Sequence, residues 1–310
     1  MTTIEEYTSG RFSKIPVLCG PTASGKSSMA LSLCLAVNGE LCSCDSMQIY
    51  RHMDIGTAKP TLQEQAMVRH HLIDLVEPTE PYHVGMYVEA AQECISDCLH
   101  RGVLPVFCGG TGQYVSALAL GIQYADISID SSLHDALIRT GEEQGYDVLY
   151  QELSKVDPDS AGKIHPNNRK RVVRALEIYR QTGKTMSYFN QQSIQKGPAY
   201  PFALFAIHWD RALLYQRMDD RVDLMLSSGL LEEVKHIKAM GVSSKNTSMQ
   251  AIGYKELSDY ADNRISYDEA VQLMKQKTRN YGKRQLTWFR NMQGVTWIEP
   301  GQTETILRNL

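Results

Sequence analysis

The sequence predicts an α/β fold in which a parallel-sheet core is interrupted by a helical insertion domain. Three observations carry this. Short apolar runs alternate with helical patterns over the first 120 residues. Strand signals then vanish from about Ile122 to Lys196. One more apolar run, Leu204–Trp209, follows before the chain turns helical again. The expected division is a core of residues 1–121 and 197–310, carrying C-terminal helices, and an insertion over residues 122–196.

Taken in order, Ile15–Cys19 is the first expected strand and Ser28–Val37 the helix after it. Glu40–Cys44 is the second strand and leads directly into Asp45. Val103–Cys108 is the third, ending in the turn Gly109-Gly110-Thr111-Gly112, and Leu204–Trp209 is a later strand of the same sheet. Within the insertion, Ser131–Gln144 and Asn168–Thr182 have helical spacing and are set apart by Gly, Pro and Asn. Beyond Trp209, helices are expected near 211–228, 230–240 and 268–291, with Gly229 and Gly241 stopping the first two.

Composition narrows the function classes. With 43% hydrophobic residues in 310, the chain can bury a sizeable core. A formal charge of −3 and a pI near 6.3 argue against a globally basic nucleic-acid coat but leave room for a local basic surface. No run reaches the eighteen or so apolar residues of a membrane helix. The N-terminal segment lacks a basic region followed by an apolar one, so a cytoplasmic protein with no membrane attachment is expected. All seven cysteines (Cys19, Cys34, Cys42, Cys44, Cys94, Cys98 and Cys108) fall in the first 108 residues, without a CxxC pair. They read as reduced, small core residues rather than as a zinc site. His70 and His71 are adjacent on an extended segment and so point oppositely, which favours core or hydrogen-bonding roles.

The strongest local signal is Gly20-Pro21-Thr22-Ala23-Ser24-Gly25-Lys26-Ser27, a full match to G-x-x-x-x-G-K-[ST] between a strand and a helix. Glycines let the backbone curl so that successive N–H groups face phosphate oxygens. The helix N-terminus adds positive potential, Lys26 a full charge, and the Ser27 hydroxyl a place for Mg2+. The fold class is therefore a P-loop NTPase-like parallel-sheet core. The motif indicates a diphosphate or triphosphate without specifying ATP. Two acids could act with it: Asp45, at the end of the second strand, and Asp74, in His70-His71-Leu72-Ile73-Asp74.

The run Asp45-Ser46-Met47-Gln48-Ile49-Tyr50-Arg51, followed by Met53-Asp54-Ile55-Gly56-Thr57-Ala58-Lys59-Pro60, resembles the tRNA dimethylallyltransferase (tRNA isopentenyltransferase) family. Further matches come in the family's order: His71–Asp74, Gly109–Tyr114, Arg174–Glu177, Thr182–Lys184, Gly229–Glu233, Ile252–Glu256 and Lys283–Arg290. The departures are small: Ser27 where threonine is commoner, Cys44 where a branched aliphatic is usual, and Gln113 where leucine is common.

The resemblance implies transfer of a dimethylallyl group from dimethylallyl diphosphate to the exocyclic 6-amino group of adenosine 37 in tRNA. Asp45 would be the carboxylate that orients the amine and takes its proton. Gly20–Ser27 and Mg2+ would hold the departing diphosphate, and Thr111 would add a hydroxyl contact. Arg217 and Arg221, one turn apart, are candidates for a diphosphate-binding arginine, with Arg217 preferred; Leu214, Met218, Val222 and Met225 form the apolar stripe beside them. By the same resemblance Asp45, Ser46, Met47 and Gln48 meet the flipped adenine. Asn167, Asn168, Arg169, Lys170 and Arg171, with Gln250, Gly253, Tyr254 and Lys255, fall in segments that contact tRNA.

Two basic clusters are candidates for RNA phosphates. One comprises Lys163, Arg169, Lys170, Arg171, Arg174, Arg180 and Lys184; the other Lys275, Lys277, Arg279, Lys283, Arg284 and Arg290. Core packing is the expected role of Trp288 and Phe289. Prenylation of a free adenine nucleotide, a small-molecule P-loop kinase and a non-catalytic RNA-binding protein are the competing readings. A monomer is the simplest assembly.

Overall fold

A computed structural model describes residue 4 and residues 10–122 and 130–310, with the side chains of residues 193–196 left out. The chain forms two compact units, one of Met1–Ala119 with Tyr200–Leu310 and one of Leu120–Ala199.

The first unit is built on a six-stranded sheet in the order β3-β2-β4-β1-β5-β6, with every neighbouring pair parallel. Its strands are β1 (Ile15–Cys19), β2 (Gly39–Ser43), β3 (His70–His71), β4 (Leu104–Gly109), β5 (Phe202–Ile207) and β6 (Val295–Ile298). β1 and β4 are buried at every residue, as continuous apolar strands covered on both faces should be. The short β3 and β6 lie beyond the expected strand set. The edge strand β3 joins β2 through the pairs Leu41–His70 and Cys42–His71.

Helix α1 (Lys26–Val37) buries Met29, Ala30, Leu33, Cys34 and Val37 and ends at Asn38 in the left-handed region. It begins two residues earlier than expected, because Lys26 and Ser27 of the loop already belong to its first turn. Before the next strands come α2 (Leu62–Met67) and α3 (Val84–His100); α4 (Gly112–Ala119) follows β4. On one side of the sheet Leu33 and Val37 of α1 pack with Leu18, Val106 and Phe205.

The order of β1, β4 and β2 fixes where a ligand can sit. The chain leaves β1, crosses to β2, and later fills the gap with β4. The ends of those three strands therefore bring together Gly20, Asp45 and the Gly109–Gly112 turn. In open parallel sheets such a reversal opens a crevice outside the strand carboxyl ends.

The second unit is helical: α5 (Ser131–Gln144), α6 (Tyr146–Val156), α7 (Pro158–Ala161), α8 (Arg169–Thr182) and α9 (Met186–Lys196). Leu137, Leu149, Leu153, Val172, Val173 and Leu176 form its core. Asn168 caps α8 by accepting from the Arg171 N–H, and Gly183 at φ 70° ends it.

After β5 the first unit continues with α10 (Arg211–Ser227), α11 (Leu230–Ala239), α12 (Tyr254–Ala261), α13 (Tyr267–Asn291) and, beyond β6, α14 (Thr303–Leu307). Gly229 and Gly241, at φ +99° and +83°, follow the ends of α10 and α11, as stop signals should. Helix α13 starts with a Ser266–Glu269 capping box and buries Ala270, Met274, Gly282, Gln285 and Phe289. Ala270 and Met274 pack with Val222, Leu230, Tyr254 and Leu257 over Ile49, Tyr50 and Met53, so these helices cover the loop after Asp45. Among the described residues, no helix is long and apolar enough to cross a membrane.

Candidate active site

A cavity of about 360 Å³ opens in the first unit at the crevice between strand ends. Thr22, Lys26 and Ser27 line it from the P-loop, Asp45–Gln48 from the end of β2, and Gly109 from the end of β4. Arg221, Val222 and Met225 reach it from α10, and Met274, Thr278, Tyr281, Arg284 and Gln285 from α13.

The loop itself is curled by Gly20 at φ +132°, Ala23 at φ 62° and Gly25 at φ +82°. Lys26 donates from Nζ to the Pro21 carbonyl at 3.1 Å. Burial lowers its pKa, and the Arg221 charge acts in the same direction. A bound diphosphate would restore the missing countercharge. The buried Ser24 hydroxyl has no hydrogen-bond partner among the described residues. Ser27 reaches the cavity and also hydrogen-bonds the Cys108 thiol.

Asp45 accepts from the Met47 N–H at 2.8 Å and makes no ion pair among the described residues. Its charge is felt by Lys26, Arg221 and the Tyr281 phenol, so these groups share one electrostatic environment. Asp74 differs. Lys59, almost fully buried, holds both Asp74 and Asp54 at 2.6 Å and the Tyr50 carbonyl at 2.9 Å. Asp74 is thus committed to closing the 54–60 loop; of the two candidate acids Asp45 faces the cavity, whose other lining carboxylate, Glu64, is engaged in the capping box with Thr61.

The two arginines part company. Arg217 lies outside the cavity lining: its Nε donates to the Ala23 carbonyl at 2.9 Å, and its guanidinium stacks 4.5 Å from the Trp209 ring centre. It braces the back of the P-loop, together with Trp209, whose Nε1 donates to the Ser24 carbonyl. Arg221 enters the cavity instead, and its pKa is lowered by burial against the opposing influence of Asp45. Arg221 thus lines the cavity, whereas Arg217, the residue preferred from the sequence, lies against the P-loop backbone, its Nη2 3.9 Å from where a Cβ at Gly25 would stand.

Thr111 does not line the cavity either. Its hydroxyl accepts from the Ser46 N–H at 3.0 Å, and its own N–H donates to the Cys44 carbonyl, so it positions the residues flanking Asp45. Gln48 does line the cavity, but its amide is spent on the Thr57 and Ala58 carbonyls and the Ser43 hydroxyl.

The tRNA-contact candidates divide in the same way. Gln250 is exposed, lines the cavity and donates to the Ser244 carbonyl. Lys255 is exposed. Gly253 and Tyr254 are buried: Gly253 caps α12, while the Tyr254 hydroxyl bonds Glu233 at 2.5 Å. Tyr254 is thus a packing residue, where a surface contact was expected. On the second unit Asn167, Asn168, Arg169, Lys170 and Arg171 are all exposed, with Arg169 lying 4.5 Å over the Tyr146 ring.

The basic clusters are also partly spent internally. Lys275 pairs with Asp223, Lys277 with buried Glu256, and Arg279, through one guanidinium nitrogen, with both carboxylate oxygens of Asp219. These residues therefore fasten α13 to α10 and α12, where a phosphate-binding face was expected. On the second unit Arg180 pairs with Glu152 and Arg174 approaches Glu177. Lys163, Lys170 and Arg171 make no ion pair among the described residues.

Two residues that carry the geometry had no assigned role. Glu233 accepts from the N–H groups of Asp54, Ile55 and Gly56. Gln285 accepts from the Thr22 N–H at 2.9 Å and donates to the Gly110 carbonyl at 2.8 Å, bridging the P-loop and the turn after β4. A Cβ at Gly110 would stand 2.1 Å from the Gln285 amide nitrogen, which explains why glycine occupies that place. Both residues lie within family-like runs, so the sequence marked the segments but not the bonds. Gln285→Leu should leave a buried donor and acceptor unpaired, costing about 1–3 kcal/mol. Urea denaturation would show the loss, and a raised KM for the phosphate-bearing substrate should accompany it.

The sequence matches the family model described as IPP transferase over residues 48–292. It is 42% identical over 289 residues to the tRNA dimethylallyltransferase of Carboxydothermus hydrogenoformans, covering 93% of each chain. With the enzyme of that name from Geobacillus thermodenitrificans the identity is 45%, covering 92% of this chain and 90% of the relative. Among solved structures, the tRNA isopentenylpyrophosphate transferase of Bacillus halodurans superposes with a TM-score of 0.70 at 39% identity, covering 95% and 94%. A eukaryotic dimethylallyltransferase acting on tRNA gives 0.78 at 32% identity, covering 92% of this chain and 73% of that one.

Proposed function

The chain belongs to the IPP transferase family, and we infer that it transfers the dimethylallyl group of dimethylallyl diphosphate to the exocyclic 6-amino group of adenosine 37 in tRNA, releasing diphosphate. The single observation that carries this reading is the pairing of a P-loop with an uncommitted carboxylate in one cavity. Lys26 and Arg221 supply positive charge, and Asp45 faces them without an ion-pair partner among the described residues.

The donor reacts by ionising its allylic C–O bond, so charge builds on the diphosphate oxygens. Lys26, Arg221 and the loop N–H groups stand where they can stabilise that charge. The acceptor amine is a weak nucleophile because its lone pair is delocalised into the adenine ring. Asp45 would orient it and take its proton as the C–N bond forms. Adenosine must leave its stack to reach the cavity, at a cost of roughly a few kcal/mol. Ser46, Met47 and Gln48 would then form part of its wall.

The donor set suits Mg2+. The Ser27 hydroxyl, a hard oxygen ligand, lines the cavity beside Lys26, where a metal ion would meet the diphosphate oxygens. When bound there, Mg2+ would neutralise charge on the diphosphate. The exposed Asn167–Arg171 segment and Lys255 fit contacts to RNA phosphates.

The test is incubation with dimethylallyl diphosphate, Mg2+ and tRNA, followed by mass spectrometry of the nucleosides. N6-(dimethylallyl)adenosine is the expected product, with an anticodon stem–loop preferred over AMP. AMP as the better acceptor would move the assignment to a free-nucleotide prenyltransferase, and a phosphorylated product formed from ATP would make the protein a kinase.

A further inference from the structure

The face of the sheet covered by α3 carries a second cluster of chemically active side chains. Cys42 and His71 are register partners on parallel β2 and β3, so both side chains leave the sheet on the same face. Glu40, two residues before Cys42, shares that face. Helix α3 presents Cys94 and Cys98 to it, four residues apart and hence on one helix stripe. The ligand atoms of His71, Cys94 and Cys98 all lie within 4.8 Å of one another. The Cys42 sulfur is 3.5 Å from that of Cys94, and the Cys98 sulfur 3.9 Å from His71 Nε2.

Two of these spacings, Cys42–Cys94 and Cys98–His71, are those of edges of a tetrahedral metal site, and Cys42 adjoins the His71, Cys94 and Cys98 group through Cys94. Zn–S bonds of about 2.3 Å give a tetrahedron with sulfur–sulfur edges of about 3.8 Å, and replacing one sulfur by nitrogen shortens three edges slightly. Three thiols and one imidazole favour zinc over hard cations such as Mg2+. A second layer is also in place. Arg101 holds Glu40 through two contacts of 2.7 and 2.6 Å and reaches the Cys98 sulfur at 3.5 Å, while the 2.6 Å contact of Glu40 with His71 Nε2 is the one a metal ion would replace.

We propose that Cys42, Cys94, Cys98 and His71 form a Cys3His zinc site, distinct from the transfer cavity. Binding makes three Zn–S bonds and one Zn–N bond. It breaks three S–H bonds and the N–H bond that His71 Nε2 donates to Glu40; the three thiol protons pass to solvent, the neutral imidazole takes its proton back on Nδ1, and Glu40 keeps Arg101. The site then carries one net negative charge beside the Arg101 guanidinium. Its structural effect is to pin the two-residue strand β3 and helix α3 to β2. Since β2 runs directly into Asp45, the metal steadies the acid without touching substrate. The absence of a CxxC pair concealed the site in the sequence, because its ligands come from three separate elements.

Protein purified with thiols kept reduced should contain one zinc per chain by elemental analysis. After stripping with a chelator it should bind one Co2+, giving tetrahedral d–d bands and a sulfur-to-cobalt charge-transfer band that zinc abolishes. Cys94→Ala and His71→Asn should each weaken binding at least about tenfold, the smallest loss expected even for an outer-layer partner. Cys34→Ala, outside the cluster, should bind normally. The wild-type measurement decides the matter even if a variant fails to fold. Stripped protein without cobalt–thiolate bands would overturn the proposal. So would a Cys42–Cys94 disulfide found by mass spectrometry in protein purified without reductant, which would make the pair a redox couple. Neither readout depends on prenyl transfer.

Discussion

Asp45→Asn should lower the rate of prenyl transfer to tRNA by about 10²–10⁴-fold, the usual contribution of a positioned general base. The substitution keeps the side-chain size and an oxygen able to accept from the Met47 N–H, so the turn after β2 should hold its shape. What is lost is the carboxylate that takes the amine proton, together with the negative charge facing Lys26 and Arg221. Single-turnover measurement at saturating donor isolates the chemical step from product release. Affinity for tRNA should change little, because most RNA binding energy comes from phosphate contacts. A single-turnover rate close to that of the native protein would remove Asp45 from the role of base.

Arg221→Gln should reduce kcat by about 10²–10³-fold, as loss of one preorganised group at a developing charge does. Arg217→Gln should behave differently. That residue serves the Ala23 carbonyl and the Trp209 ring from outside the cavity, so its loss should cost about 1–3 kcal/mol of stability and leave the chemical step largely intact. Comparing the two variants in one assay, with thermal melts alongside, separates a group acting on the diphosphate from one supporting the loop. Equal losses of kcat in both variants would contradict the geometry. A large loss in Arg217→Gln alone would favour the sequence-based preference.

These arginines show where sequence reading reaches its limit. Residues four apart on a helix share a face, so the spacing shows that Arg217 and Arg221 travel together but not which turn meets the cavity. That depends on how far α10 slides along the P-loop, which is settled by packing of Leu214 and Met218 against Ala23. The stripe Lys275, Arg279 and Lys283 poses the same problem. Periodicity identified a basic face on α13, but not that Asp219 and Asp223 of α10 stand opposite two of its members.

Local chemistry, by contrast, was readable directly. The P-loop, β1, the helix stops at Gly229 and Gly241, and the α5 and α8 helices depend on backbone freedom and short-range periodicity, which neighbouring residues encode. Asp45 was found because its surroundings form a contiguous run. The strands β3 and β6 were not found: two and four residues are too short to show an alternating pattern, and they become strands by pairing with β2 and β5.

The sequence by itself therefore determined the phosphate loop, the acid and the family to which they belong, because each is a property of adjacent residues. Only the tertiary structure decided which arginine enters the cavity, that Gln285 joins two loops from 263 and 175 residues away, and that four dispersed thiol and imidazole groups meet on one sheet face. Those contacts are set by strand order and helix docking, and no local spacing in the chain records either.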